Sequence, residues 1–283
     1  MTEIELEGDQ NEWQLPVLKL HLQREGVSAG WMRVRFPEHI DAWHQGKSLR
    51  IYRDGRSANI AATLSAEPVE LPVQWQGDSK NLSYTLPLDN GMVFKTDVKV
   101  DAGCVTYRLE LANNTDMDLE DVKVDCCFQS LQVPDICDKL GERLVMPVQG
   151  HFHSVRKLIP GLQEADVGDL NAHRFYGYRS GPRKSKEPLV ISPSPDQPDK
   201  GIYRWTAPED IDQSIIAIAS KNNDWTIATA SDNASPFWSN PDLSCMHSSP
   251  SLASCKAGET AQLTIVLHFV EGGFEALKDH FNF

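Results

Sequence analysis

The chain has 283 residues, of which 40% are hydrophobic, and this is enough for one large all-β domain or two ordinary domains. Its 40 acidic residues outnumber its 27 Lys and Arg, and the net charge of −13 argues against a nucleic-acid partner and against binding to anionic membranes. The acidic start, MTEIELEGDQNEW, lacks the features of a secretory signal, and no apolar run approaches the ~18–20 residues of a membrane span.

The six cysteines favour reduced thiols. Cys126 and Cys127 are adjacent in a predicted strand, where neighbouring side chains point to opposite faces, so they cannot readily bond to each other. No C-x-x-C metal-binding spacing occurs. Together with the missing secretory signal, these features predict a cytoplasmic protein. They predict no particular oligomeric state.

Apolar and polar residues alternate with a period of two along most of the chain, which is typical of half-buried strands. The pattern is clearest in 91–101, 103–114 and 120–129, three segments joined by short polar turns, and it predicts an antiparallel meander. Further strands are predicted at 16–23, 48–53, 58–65, 69–76, 81–88, 201–207, 214–220, 225–231 and 261–271. About a dozen strands without helical crossovers predict an all-β fold, a large antiparallel β-sandwich.

Two short helices are predicted, at 134–144 and 272–281, the second from apolar residues at spacings of three and four. No shift in composition marks a domain boundary, so we expect a single domain over 1–283. Residues 179–201 are rich in Pro, Ser and charge and show no periodicity, and they predict a long loop excursion from the sandwich.

Two segments resemble galactose mutarotase-like sandwiches. In VTYRLELANNTDMDLEDVKVDCCFQ (105–129), a strand of the type Y-x-L-x-L-x-N-N-T-D is followed by a turn and a half-apolar strand. SLASCKAGETAQLTIVLHFVEG (251–272) is similar to the closing L-x-P-G-E-T turn and final strand of that superfamily, with Ala257 where proline is usual. The resemblance implies the supersandwich fold and a carbohydrate ligand, and it leaves the reaction open, because the superfamily includes epimerases and domains of glycoside hydrolases and polysaccharide lyases.

The chain departs from the epimerase pattern at one point. In epimerases, the strand after the turn carries a histidine of the catalytic region, whereas DCCFQSLQVP (125–134) contains none. Simple mutarotase activity is therefore not what the resemblance implies here.

The segment QGHFHSVRKL (149–158) contains the first group of candidate site residues. His151 and His153 share one face of an extended strand and can contribute to a proton relay, a sugar site or a metal site. Arg156 follows as a group that can neutralise a carboxylate or polarise an oxygen. The alternative is that the two histidines only decorate the surface or the core. We predict no cofactor, with a divalent transition metal on His151 and His153 as the alternative.

A second group comes from NAHRFYGYRSG (171–181) and SDNASPFWSNPDLSCMHSSP (231–250). Arg174, Tyr176 and Trp238 offer the aromatic surface and the hydrogen-bond donors that sugar sites require, and His247 is a further candidate acid or base. Core packing and solvated arginines are the alternative interpretation. We interpret His21 and His268 as sheet-face residues, and His39, His44 and His280 as exposed loop or helix residues.

Three hypotheses follow for function. The leading one is an enzyme of the epimerase or lyase kind that transfers protons on a sugar or uronate, with His153 and His247 as the acid–base pair. The second is a non-catalytic carbohydrate-binding or scaffold sandwich that binds through Trp238, Tyr176 and Arg174. The third is a metal-dependent sugar enzyme built on the His151–His153 pair.

Overall fold

The structure is a computed structural model that describes residues 2–53, 68–158, 173–179, 189–194, 197–231 and 233–282. It is 64% strand and 6% helix, which confirms the all-β prediction. The strands are β1 (Thr2–Gln10), β2 (Pro16–Arg24), β3 (Val27–His44), β4 (Lys47–Arg53), β5 (Gln76–Gly77), β6 (Asn81–Pro87), β7 (Met92–Asp101), β8 (Cys104–Asn113), β9 (Leu119–Gln132), β10 (Leu144–Val148), β11 (His151–Ser154), β12 (His173–Gly177), β13 (Leu189–Ser194), β14 (Gln197–Thr206), β15 (Ile215–Ala219), β16 (Trp225–Ala230), β17 (Ala234–Asn240), β18 (Cys245–Cys255) and β19 (Thr260–Glu271).

The helices of the described chain are short. They are α1 (Val155–Leu158), a 3-10 helix over Pro241–Leu243, and α2 (Phe274–Phe281). Within the described residues, no helix is long and apolar enough to cross a membrane. The strand predicted at 58–65 lies outside the described residues.

The strands of the described residues form two large sheets, one of ten strands and one of nine. Pairing is mainly antiparallel, with β12 and β14 as a parallel pair, and the predicted antiparallel β-sandwich is confirmed.

Contacts divide the chain into two compact units, each made of two segments. Unit 1 comprises Met1–Phe128 and Ser249–Val266, and unit 2 comprises Gln129–Ser248 and Leu267–Phe283. That the chain is a single domain over 1–283 stays a prediction.

In unit 1, β1, β2 and β3 are neighbours, β4 pairs with β3, and β5 to β8 follow one another in the nine-stranded sheet. The predicted three-stranded meander is wrong for its third segment, because β9 lies between β3 and β18 in the ten-stranded sheet. Its other two segments are β7 and β8, which pair without a register shift, so that Phe94 lies opposite Leu111 and Thr96 opposite Leu109. All four side chains are completely buried. Because opposite residues of an antiparallel pair share a face, the alternation in the sequence translates directly into one buried face.

In unit 2, β17, β12, β14 and β13 are successive neighbours in the ten-stranded sheet, and β11, β10, β15 and β16 in the nine-stranded sheet. The loop excursion expected at 179–201 is different in the structure, because Leu189–Ser194 forms β13 and Gln197–Thr206 forms β14. Their ladder contains register shifts. A strand that pairs irregularly does not need a strict period of two, and the sequence pattern therefore missed β13, whereas the strand predicted at 201–207 is confirmed as part of β14. Residues 180–188 and 195–196 lie outside the described part of the excursion.

The helix predicted at 134–144 is wrong, because these residues form turns. The Asp138 carboxylate accepts hydrogen bonds from the backbone N–H groups of Leu140, Arg143 and Leu144. The Arg143 guanidinium donates to the carbonyl oxygens of Asp135 and Cys137. Side chains thus satisfy the backbone groups that helical hydrogen bonds would otherwise pair, which is how Asp competes with helix formation.

The C-terminal helix predicted at 272–281 is confirmed as α2, Phe274–Phe281. Its Leu277 is completely buried in a cluster that includes Val145 and Ile215, and Phe274 and Phe281 pack against that cluster. The spacings of three and four place these apolar residues on one face of the helix, which lies against the sheet.

We expect the stability of the protein to fall as the pH decreases from 6.5 to 4, because of His268. Burial, together with the neighbouring His280, lowers the pKa of His268 from 6.5 to about 4, and the Nε2 atom of His280 lies 3.0 Å from the Nδ1 atom of His268. In this range the unfolded chain takes up a proton that the folded protein does not. The contribution of His268 to stability is therefore complete above pH 6.5 and is lost as the pH falls through 4.

Denaturant unfolding at several pH values checks this expectation. His268→Gln should flatten the dependence of the unfolding free energy on pH between 6.5 and 4. An unchanged slope in the His268 variant would contradict the assignment.

Candidate functional site

Three neighbouring strands of unit 2 carry a row of aromatic side chains. Tyr176 in β12 lies opposite Trp238 in β17, with ring centroids 5.7 Å apart and planes inclined by 12°. The Tyr178 ring lies 6.4 Å from that of Tyr176 at an angle of 15°. In β18, His247 stacks on Trp238 with centroids 3.4 Å apart and an angle of 18°. We call these four residues the aromatic row.

The four rings differ in exposure. Trp238, Tyr176 and Tyr178 are half-buried, whereas His247 is 2% exposed. Three large aromatic rings of this row are therefore accessible at one face of the sheet, and the imidazole beside them is not.

The aromatic row lies on the face of β12 that is turned away from β10. A Cβ atom built on Gly177 would lie 2.5 Å from the Sδ atom of Met146, a residue of β10, so Gly177 is turned toward β10. Phe175, two residues earlier, is completely buried. Because successive residues of a strand point to opposite faces, Tyr176 projects from the other face, and Arg174, which is half-buried, lies on that face with it.

His247 is held by a cysteine of its own strand. Its Nε2 atom lies 3.0 Å from the Sγ atom of Cys245, and this Sγ atom lies 3.5 Å from the carbonyl oxygen of Asn240. A thiol has one proton, so the arrangement in which the thiol donates to Asn240 and the Nε2–H group donates to sulfur satisfies both contacts. In that arrangement Nε2 carries a proton and does not act as a base.

The H-x-H pair lies in a different part of unit 2. His151 and His153 belong to β11, at the edge of the nine-stranded sheet, where His151 is exposed and His153 half-buried. Their ring centroids are 6.2 Å apart. Arg156 follows in α1, where its Nη1 atom lies 3.7 Å from the Oε1 atom of Glu142.

The structure therefore divides the seven predicted site residues into two groups. His247, Trp238, Tyr176 and Arg174 lie together on the strands of the ten-stranded sheet. The other three, His151, His153 and Arg156, lie on β11 and α1. The roles assigned to these residues stay predictions.

A cluster of charged residues in unit 1 was missed by the sequence interpretation. His39, expected in an exposed loop, lies in β3 with a side chain that is 23% exposed. It stands between the carboxylates of Asp125 and Asp41. The signal in the sequence is the charged stretch RFPEHID (35–41) inside a strand, where buried charges need partners.

Comparisons with known proteins were made at three levels. No family model matches the chain, and no curated protein matches it. Among solved structures, it is similar to a galactose mutarotase related enzyme from Lactobacillus acidophilus, with 10% identity, coverage of 95% of this chain and 98% of that chain, and a TM-score of 0.45. It is also similar to the Slr1438 protein from Synechocystis sp. PCC 6803, with 13% identity, coverage of 95% of each chain and a TM-score of 0.44.

A third similar structure is a galactose mutarotase-like protein from Clostridium acetobutylicum, with 8% identity, coverage of 95% of this chain and 99% of that chain, and a TM-score of 0.43. These findings agree with the resemblance predicted from the sequence. At such identities they concern the fold alone.

Proposed function

We propose that the protein binds a carbohydrate on the face of β12 and β17 that carries the aromatic row. Tyr178, Tyr176 and Trp238 provide the surface for the C–H faces of sugar rings, and Arg174 donates hydrogen bonds to hydroxyl or carboxylate oxygens. This is the second of the three hypotheses drawn from the sequence, and the geometry of unit 2 supports it better than the other two.

The observation that carries the proposal is the near-parallel arrangement of three accessible rings. Their centroid spacings of 5.7 and 6.4 Å exceed the ~3.5–4 Å contact distance between carbon atoms. The rings are therefore not in full face-to-face contact, and each of the three is half-buried, so that part of its surface is accessible. Large apolar surfaces with a few polar groups at their border are what small-molecule sites present to a ligand.

The geometry favours binding over proton transfer by His153 and His247. The two histidines belong to different sheets, β11 in the nine-stranded one and β18 in the ten-stranded one. His247 is almost completely buried, and its Nε2 atom is engaged with Cys245. A general acid or base must reach the substrate within hydrogen-bond distance, directly or through one water molecule.

We expect Trp238→Ala and Tyr176→Ala each to weaken carbohydrate binding about tenfold or more, because truncation of a central aromatic contact typically costs more than ~1–2 kcal/mol. Binding is measured first on a panel of immobilised mono- and oligosaccharides and then by calorimetry with the best ligand. Trp13→Ala is the matched control, since Trp13 is an exposed tryptophan of unit 1, 39% accessible. Retention of full affinity by both row variants would overturn the proposal.

The same panel distinguishes binding from catalysis. If the protein epimerises or cleaves one of these sugars, general acid–base catalysis predicts that His153→Ala and His247→Ala each lose about 100- to 10,000-fold in rate. That result, with folding retained, would replace the binding proposal by the proton-transfer hypothesis.

A further inference from the structure

A group of three potential metal ligands lies in unit 1. Glu38 and His39 are consecutive residues of β3, and Asp125 belongs to β9. One ligand atom from each residue can be chosen so that the three atoms lie within 4.8 Å of one another. Glu38 and Asp125 are buried, at 8% and 2% exposure, and the partly exposed His39 connects them to the surface.

The spacing of His39 from its two carboxylate neighbours is long for hydrogen bonds between charged groups. Its Nδ1 atom lies 3.5 Å from the Oδ2 atom of Asp125, and its Nε2 atom lies 3.6 Å from the Oδ2 atom of Asp41. A charge-assisted N–H···O bond is typically about 2.7–2.9 Å long. Two ligands bound about 2.0–2.2 Å from one metal ion are themselves roughly 3–3.5 Å apart, which matches the His39–Asp125 spacing.

Each carboxylate of the group is held by a neighbouring side chain. The Ser249 hydroxyl donates to the Oδ1 atom of Asp125 at 2.6 Å, and the Nη1 atom of Arg35 donates to the Oε1 atom of Glu38 at 2.9 Å. Partners of this kind fix the orientation of carboxylates and imidazoles around metal ions, and they determine how well the ligands are preorganised.

The charges around the group are compatible with a bound cation. Glu38, Asp41 and Asp125 are acidic, and Arg35 and Arg50 are the guanidinium groups that pair with the first two of them. Among these named residues, three carboxylates face two guanidinium groups, and the excess of acidic groups favours a cation.

We propose that Glu38, His39 and Asp125 bind a divalent transition-metal ion, for which zinc is the probe. One imidazole and two carboxylates form a mixed nitrogen–oxygen set that suits first-row metals rather than Mg²⁺ or Ca²⁺. Three protein ligands leave a coordination position for water or for an oxygen atom of a substrate. The site is independent of the aromatic row of unit 2, and the proposal does not rest on carbohydrate binding.

The competing interpretation is a buried ion-pair network that needs no metal. In that case His39 only pairs with the carboxylates of Asp125 and Asp41. The two interpretations predict different results when zinc is added. An ion-pair network binds no zinc and keeps its melting temperature, whereas a metal site binds zinc, and the melting temperature of the protein rises.

The test is zinc binding by the full chain after dialysis against a chelator, followed by calorimetry and elemental analysis. We expect wild type to bind one zinc ion more than His39→Ala and Asp125→Asn, and we expect Ser249→Ala to bind it about 10- to 100-fold more weakly. Cobalt in the same site should show no thiolate-to-metal charge transfer, which separates it from binding to cysteines. Mg²⁺ and Ca²⁺ should neither bind nor raise the melting temperature.

Two matched controls complete the experiment. His21 pairs with the Glu7 carboxylate at 2.7 Å on the surface of the same unit, so His21→Ala removes a histidine–carboxylate pair without a third ligand. His151→Ala tests the H-x-H pair. Both should retain the zinc stoichiometry and affinity of wild type. If His39→Ala, or His39→Gln should the first variant not fold, binds zinc as wild type does, the proposal is wrong.

Discussion

Asp138→Ala is expected to destabilise the protein by about 3–5 kcal/mol. The carboxylate is 7% exposed, and it accepts backbone N–H groups from Leu140 at 3.1 Å, Arg143 at 2.7 Å and Leu144 at 2.9 Å. Each hydrogen bond to a charged group contributes about 1.5–3 kcal/mol, and the three are not additive because they share one acceptor group. The loss leaves the three backbone N–H donors of a partly exposed turn without their acceptor, which places this substitution among the more severe single changes.

A graded series separates the hydrogen bonds from the volume of the side chain. Asp138→Asn keeps the shape and one oxygen, which can still accept the Arg143 and Leu144 amides, so we expect about half of the destabilisation. Glu142→Ala is the control in the same turn, since its side chain is 58% exposed, and it should change stability by less than about 1 kcal/mol. The measurement is denaturant unfolding combined with hydrogen exchange, in which the amides of Leu140, Arg143 and Leu144 lose protection. Equal stability of Asp138→Ala and wild type would contradict this account.

Strands could be predicted from the sequence where burial of one face alone produces the alternation of apolar and polar residues. In β7 and β8 every second residue is buried, and the pairing of Phe94 with Leu111 follows from the alternation of each strand. The C-terminal helix is a similar case, since Leu277 and its neighbours repeat at the helical spacing. Such patterns are local, so a sequence shows them directly.

Features that depend on particular hydrogen bonds could not be predicted in this way. Residues 134–144 have the composition of a helix, but the Asp138 carboxylate and the Arg143 guanidinium bond to backbone groups of the same segment and stabilise turns. β13 pairs with β14 in a ladder with register shifts, and residues 189–194 show no period of two. In both places the outcome depends on hydrogen bonds that the alternation of apolar and polar residues does not show.

The candidate site was anticipated in part. The sequence predicts Tyr176 and Trp238 as aromatic surface for a sugar, and in the structure the two residues lie opposite each other on neighbouring strands. His151 and His153 share a strand, as the sequence predicts, but the sequence does not show that this strand, β11, lies in the sheet that does not contain β17 and β18. The group of Glu38, His39 and Asp125 was missed because His39 and Asp125 are 86 positions apart in the chain. Only the arrangement of the strands in the sheet brings the two residues together.

Asn113→Asp is expected to destabilise the protein by about 3–5 kcal/mol at neutral pH, although it changes one atom of the side chain. Asn113 ends β8 and is completely buried. Its Nδ2 group donates to the carbonyl oxygens of Met117 at 2.8 Å and Cys255 at 2.9 Å, while Oδ1 accepts from the Thr115 hydroxyl at 2.7 Å. An aspartate here replaces a double donor by an acceptor, which faces two carbonyl oxygens as a buried charge.

The destabilisation caused by Asn113→Asp should depend on pH, whereas destabilisation by a packing defect should not. Burial and the two carbonyl oxygens raise the pKa of the introduced carboxyl in the folded protein, so it binds a proton there more readily than in the unfolded chain. The difference in unfolding free energy between wild type and Asn113→Asp should therefore narrow as the pH falls toward 4, since a protonated carboxyl donates one of the lost hydrogen bonds. Asn114→Asp makes the same change at the next, exposed residue and should cost less than about 0.5 kcal/mol at any pH in this range. If the destabilisation at position 113 does not depend on pH, the Asn113 amide acts through its shape. If it is as small as the destabilisation at position 114, the two hydrogen bonds that Asn113 donates contribute nothing to stability.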